Sequence, residues 1–236
     1  MSPAAQPPDE PLYDLLEPHI TAERLAPCLA ASAGNRRDAI RLYRWNIELS
    51  GAVYEALHVF EVVLRNAMDA QLRRWNATQV NPRTGQVCSS DWLLEPAPLL
   101  SRVVREQDLS KARLGAEHAV RHRQRRVSHA DLLSQMSFGT WRFLLPSRDP
   151  GRRYLWGEAL HAAFPHLNRT THELVRSVDG IYQLRNRVAH LEPLLRSGNV
   201  RAQFNNIRTV LGEIDPDVEQ WLISIQRVTT LLRARP

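Results

Sequence analysis

Lysine is nearly missing from this chain of 236 residues: Lys111 is the only one, and every other cationic side chain except histidine is an arginine. Cysteine is just as scarce. Cys28 and Cys88 stand alone, too few for a disulfide framework or a cysteine-built zinc site, and their sparsity fits a reducing compartment. Ten glycines serve the whole chain, and no alternation of apolar and polar residues lasts long enough to specify a set of strands, which argues against a β-rich fold. No run of about eighteen uninterrupted apolar residues occurs, so no membrane-spanning helix is expected. The opening residues, MSPAAQPPDEPLYD, carry no basic segment followed by an apolar one, so no secretory signal is expected either. A soluble, cytoplasmic protein is the expectation.

What is present is a chain able to bury a core. Hydrophobic residues make up 43% of it, which excludes wholesale disorder. The 31 basic residues outnumber the 25 acidic ones, for a net charge of +6. That balance leans toward an anionic partner such as nucleic acid, although a GC-rich genome produces an arginine bias without selection for binding.

Residues 1–20, rich in Pro and Ala with scattered acids, read as a flexible N-terminal tail. From Thr21 onward the periodicity is helical, and no domain boundary or internal repeat interrupts it. The longest pattern follows Asn35, an N-cap residue, with Leu42, Trp45, Leu49, Val53, Leu57, Phe60, Leu64, Met68, Leu72 and Trp75 forming one stripe. Gly51 marks a bend in it. Residues 77–90 read as a loop, and helical patterning resumes from Trp92 to His122 with breaks at Pro96 and Pro98. Ser128 caps a helix that continues toward Leu145, and Asp149-Pro150-Gly151 reads as a turn. A short helix through Trp156 and Leu160 is stopped by Pro165. Residues 170–191 carry Leu174, Val178, Ile181 and Val188 on one face. Asn199 caps the next helix, and Asp215-Pro216 opens the last, through Trp221, Ile225 and Leu232. The expectation is a single all-α bundle over residues 21–236, of about seven or eight helices.

Two polar intrusions interrupt the apolar stripes. Glu61 lies four residues after Leu57 and three before Leu64, where a carboxylate is costly unless paired. Arg65, at i+4, is one partner within reach, and a structural ion pair explains the pattern without any chemistry. The second intrusion is LRNRVAHLEP, residues 184–193. Arg185 falls on the apolar face of its helix, and His190 is turned from it by ~140° at 100° per residue. The two cannot touch along one straight helix, but they can flank a cleft built against a second helix or a second subunit. Pro193 disfavours helical geometry at Glu192, so His190 falls in the last turn, where the helix dipole favours an imidazolium. A histidine so placed suits proton transfer, and Arg185 and Arg187 supply fixed positive charge for a phosphate. A helix end decorated with cations accounts for the same residues.

A family resemblance weighs on that choice. Arg185, four residues, then His190, with polar Asn186 after the arginine, is similar to the Arg-X4-6-His signature of the HEPN superfamily. In order along the chain, AIRLYRWNIELSGAVYEALHVFEVVLRN, DWLLE, MSFGTWRFL, LWGEALHAAFP and LRNRVAHLEP resemble the Abi-like (abortive-infection) branch of that superfamily, over roughly residues 21 to 230. The resemblance implies an all-helical homodimer whose Arg and His motifs face one cleft, and a metal-independent endoribonuclease needing no cofactor. It implies that Arg185 binds the scissile phosphate, His190 transfers protons and Asn186 orients the phosphate or the histidine, giving 2′,3′-cyclic phosphate and 5′-OH ends. Glu61, Arg65 and Asn66 match the family's second polar motif as a supporting shell. It further implies a toxin-like effector of antiphage defence, with RNA as substrate and an antitoxin or defence partner as a second associate. Leu191 departs from the pattern, since many relatives place a polar or basic residue after the histidine. The rival expectations are a non-catalytic HEPN module that binds RNA or protein, and a regulatory partner.

Two further features are weaker. KARLGAEHAVRHRQRRVSHADLL is either a solvated helix and loop or a basic face for RNA. Within it His118 and His122, at i and i+4, suit a metal, but nothing nearby completes the shell. MSFGTW reads as a packing turn, with Gly139 allowing close approach of helices beside Trp141.

Overall fold

The computed structural model describes residues 9–123 and 125–236. They form an all-α fold built around one helix, α3 (Arg36–Asn76), of 41 residues and so ~60 Å long at 1.5 Å per residue. Asn35 starts it by accepting a hydrogen bond from the Asp38 backbone N–H through its side chain, at 3.1 Å. Every residue of the stripe from Leu42 to Trp75 read above is buried. Gly51 does not interrupt α3; it sits on the exposed face, where nothing crowds it.

Twelve α-helices, rather than seven or eight, make up the described residues. The first two are α1 (Asp9–Ile20) and α2 (Ala22–Ala31), both packed on α3. Residues 9–20, expected to belong to a flexible tail, are therefore helical. Leu12, Leu16 and Ile20 recur at i, i+4 and i+8 and pack against the core, and Tyr13 is only 2% exposed. Arg36 covers its ring at 5.0 Å and pairs with Asp14 at 2.7 Å. Composition rich in Pro and acid masked that spacing. Residues 1–8 of the expected tail lie outside the described residues.

After α3 the chain makes a loop whose isolated antiparallel bridge, Val80 to Val87, is the β pairing among the described residues. Then follow α4 (Pro98–Val103) and α5 (Glu106–Val120). The single helix expected from Ser128 to Leu145 is two: α6 (His129–Gln135) and α7 (Phe138–Leu144). Ser128 and Asp131 form a capping box at α6. Ser137 caps α7 through the Thr140 N–H, a second start signal inside what looked like one periodic run. At Gly139 an added Cβ would stand 3.4 Å from the Tyr182 hydroxyl, an ordinary van der Waals contact, so the approach of the helix carrying Tyr182 does not depend on a glycine there.

Asp149-Pro150-Gly151 is not a turn but the start of α8 (Pro150–Glu158), with Asp149 as cap and proline in the first turn. A capping box of Thr170 and Glu173 opens α9 (Thr171–Ala189), where Leu174, Val178, Ile181 and Val188 are buried as read. The next helix, α10 (Ser197–Ile214), begins two residues ahead of Asn199. The last expected helix is interrupted into α11 (Pro216–Ile225) and α12 (Val228–Arg233), with the Gln226 side chain accepting from the Thr229 N–H at the break. Helices α1, α2, α7, α9, α10 and α12 all contact α3. No helix among the described residues is long and apolar enough to cross a membrane.

Candidate functional site

Where α3 passes α9 and the break between α6 and α7, polar side chains line a cavity of about 420 Å³. From α3 come His58, Glu61 and Arg65, at i, i+3 and i+7, which places all three on one side of the helix. From α9 comes Arg185. Met136, Phe138 and Trp141 form an apolar wall opposite. The wall exists because Ser137 stops one helix and starts another, turning Phe138 and Trp141 inward to near-complete burial.

Glu61 pairs with Arg185, 124 residues away, and not with its near neighbour Arg65: Arg185 Nε donates to Glu61 Oε1 at 3.3 Å. Both are half-buried, with side chains 40% (Arg185) and 29% (Glu61) exposed. The carboxylate thus holds the guanidinium by its Nε edge. Among the described residues neither Nη group of Arg185 has a protein acceptor. Those are the two donors a planar anion engages in a fork. Arg65 repeats the arrangement, with Nε donating to Asn66 Oδ1 at 3.3 Å.

The other motif residues are distributed differently. His190 is the C-cap of α9; it is exposed and is not part of this cavity's lining, although its neighbour Ala189 is. Asn186 and Asn66 also stand outside the lining. Arg187, expected to present charge to a phosphate, instead serves the chain: its Nε donates to Glu192 Oε2 at 3.3 Å and its Nη2 to the Pro193 carbonyl. The reason is the direction of the chain, which folds back over Arg187 as soon as α9 ends.

That reversal is tightly specified. The Glu192 N–H bonds the Arg187 carbonyl at 2.8 Å and the Leu191 N–H bonds that of Val188 at 3.0 Å, the two bonds of a Schellman motif. Such a motif requires a left-handed residue after the cap. Here it is Leu191, at φ 56°, where glycine is the usual occupant. Arg24 of α2 donates to the Leu191 carbonyl, and the buried Asn46 side chain of α3 accepts from the Leu194 N–H at 2.6 Å. A conformation costing roughly 1–2 kcal/mol for a residue with a Cβ survives because its surroundings over-determine it.

A second cavity, about 560 Å³, adjoins the first and shares Tyr54 and Ala189 with it. Its lining is largely apolar, including Tyr43, Val188 and the well-exposed Ile47, Tyr54 and Leu191. His58 and Tyr54 were not singled out in the sequence, although both sit one or two turns ahead of Glu61 on the same side of α3. Arg24 and Asn46 gave no local signal at all, because their role is a contact with a distant turn.

The basic run in residues 111–133 is spread over α5, a short 3-10 turn and α6. Arg125 pairs with Asp131, and this hydrogen bond, with those from Ser128, holds the Asp131 carboxyl well below the usual carboxylate range. His129 is buried, with Nε2 2.8 Å from Asp69 Oδ1, while His118 and His122 are exposed. Among the described residues no three His, Cys, Asp or Glu side chains are grouped to hold a metal ion. No family model matches the chain, and no curated protein or solved structure does either.

Proposed function

We propose that the protein is a HEPN-type, metal-independent endoribonuclease of the Abi-like kind, acting at the cavity that holds Arg185. The observation that carries this reading is the Glu61–Arg185 pair: a half-buried arginine, fixed by one edge and with both Nη groups unengaged, is built to receive a phosphate. The reaction it suits is attack of the ribose 2′-OH on the adjacent phosphorus. Arg185 stabilises the charge that gathers on the non-bridging oxygens. The O2′–P bond forms and the P–O5′ bond breaks, while one proton leaves O2′ and one arrives at O5′. His190, at the rim beside Ala189, takes part in that proton transfer, and Asn186 orients it. The ends produced are a 2′,3′-cyclic phosphate and a 5′-OH, and DNA is not cut because it lacks the attacking hydroxyl.

The exposed apolar face of Ile47, Tyr54 and Leu191 next to the cavity supports a homodimer, which would bring two copies of the site together. In this reading the protein is a cytoplasmic, toxin-like effector of abortive infection, restrained by an antitoxin or another defence partner. A second reading, a non-catalytic HEPN module that binds RNA or protein, draws support from Arg187, whose donors are spent on the turn.

The test is incubation of the purified protein with a mixture of structured RNAs in EDTA, beside Arg185→Ala, His190→Ala and Glu61→Gln. Cleavage by the wild type, lost in the first two and reduced in the third, is the expected result. Binding of RNA by all four proteins with no cleavage by any would replace the enzyme with the scaffold. Toxicity on bacterial expression that persists in His190→Ala would overturn the assignment of that residue.

A further inference from the structure

We infer that His58 is a second proton-transfer group of this site, acting with His190 on the same phosphodiester. The inference rests on the ribonuclease reading above and adds a residue that the Arg–His motif does not contain.

Transfer of O2′ to phosphorus with departure of O5′ moves two protons at two different oxygens on opposite sides of the phosphorus. One group removes the O2′ proton and another supplies the O5′ proton, unless a single group shuttles between them. An imidazole is the side chain suited to either task near neutral pH. The cavity that holds Arg185, Glu61 and Arg65 contains one histidine, and it is His58. One turn of α3 separates it from Glu61, roughly 4.5 Å along the axis, so it stands beside the carboxylate that orients Arg185. Its ring is exposed and makes no hydrogen bond to any described residue, which leaves both nitrogens available. A structural histidine in this protein looks different: His129 is buried, with Asp69 at 2.8 Å.

The charged and titratable groups around His58 are few. On α3 they are Glu61 and Arg65, with Tyr54 one turn back and, at i−3, Glu55 paired with Arg227; α9 contributes Arg185; the α6–α7 segment lines the cavity with Ser134 and apolar side chains only. Within the cavity an imidazole here shares the lining with one carboxylate and two guanidiniums, the company in which a proton is exchanged with a phosphate ester. In the full cycle one histidine accepts the O2′ proton, the other releases its proton to O5′, and water resets both after the cyclic phosphate departs. No oxidant, metal or cofactor enters the balance.

The experiment compares wild type, His58→Ala and His58→Gln on two substrates: a short RNA, and a ribonucleoside 3′-(4-nitrophenyl phosphate) whose leaving group needs no protonation. RNA affinity is measured separately by fluorescence anisotropy with a 2′-deoxy analogue. Both variants are expected to lose about 10²-fold or more in kcat on RNA, with affinity within about twofold of wild type, one limb of the pH–rate profile gone, and partial recovery with added imidazole. If His58 supplies the O5′ proton, the loss disappears on the nitrophenyl ester; if it removes the O2′ proton, the loss persists there. Either pattern upholds a proton-transfer role. Variants that keep kcat within about threefold, or that raise KM alone with the pH profile unchanged, overturn it while leaving the ribonuclease reading intact, provided His190→Ala and Arg185→Ala are inactive. A wild type inert toward both substrates overturns both.

Discussion

Leu191 offers a direct measure of how firmly the end of α9 is fixed. Its φ of 56° places a β-carbon where L-residues pay roughly 1–2 kcal/mol. Replacement by glycine removes that strain, but it also frees the unfolded chain, at about 0.5–1 kcal/mol, and deletes a side chain. The deletion is controlled by Leu191→Ala, which loses nearly the same atoms and keeps the strain. Leu191 is 69% exposed, so the burial forgone is small and almost common to both. The difference between the two variants isolates the backbone: Leu191→Gly should be more stable than Leu191→Ala by ~0.5–1 kcal/mol. At about 2–4 °C per kcal/mol for a chain of this size, the gap is visible in thermal melts and in urea titrations. Leu114, 68% exposed inside α5, supplies the opposite sign, since glycine in a helix interior is ~1 kcal/mol worse than alanine. If glycine is the poorer residue at both positions, the left-handed turn is not what the protein adopts, and the placement of His190 derived from it fails as well. If glycine is better at 191 and the cleavage rate of Leu191→Gly falls, the strain is retained for the site it orders.

Two tryptophans with equal burial separate the contribution of an indole N–H. Trp92 donates to Asp69 at 2.8 Å, whereas the buried Trp141 Nε1 has no partner among the described residues; Trp92→Phe should therefore cost about 1–2 kcal/mol more than Trp141→Phe in chemical denaturation, and equal costs would contradict the hydrogen bond. Asp131 is held below the usual carboxylate range chiefly by Arg125 and then by Ser128, so its contribution to stability is complete above the unfolded-state value near 3.8 and is lost as pH falls from there through the depressed folded-state value. A pH titration of stability should show a shallower acid-side decline in Asp131→Asn, and an unchanged slope would refute the pairing. Burial pushes the Cys28 thiol up, so alkylation at neutral pH should await unfolding, in contrast to an exposed thiol that reacts at once.

The main helix was legible because three independent signals agree there: an Asn35 cap, a stripe with helical period, and no proline before Asn76. Where such signals conflict, reading failed. The segment 128–145 has one apolar period but two caps, Ser128 and Ser137, and period alone hides the second. Residues 9–20 were judged by composition although Leu12, Leu16 and Ile20 carry the helical spacing. Within the site, Glu61 and Arg185 were each conspicuous as a charge on an apolar stripe. Their pairing is no more than a hypothesis from the sequence, since nothing local distinguishes a partner 124 residues away from Arg65 at i+4. His58 escaped because an exposed histidine on a helix is ordinary until a second helix closes a cavity over it.

Net charge is a poor guide to what this protein can bind, and the hydrogen bonds of its arginines say why. Arg169 spends Nε and Nη2 on buried Glu213 and Nη1 on Ser177; it is part of the core. Arg187 commits Nε to Glu192 and Nη2 to Pro193, whereas Arg142 gives only its Nε to Asp179. Arg169 and Arg187 thus raise the count of positive charges without offering an anion the paired Nη fork. Arg185 and Arg65, like Arg142, are tethered through Nε alone, and what sets these two apart is the cavity they share with His58. Tethering removes side-chain entropy that a binding arginine would otherwise lose, and leaving the Nη edge open preserves the fork that matches a phosphate. The sequence pattern pointed to Arg185 by its distance from His190. Its unengaged Nη groups give that arginine something to do with an anion, and they assign the same capacity to Arg65, one turn beyond Glu61.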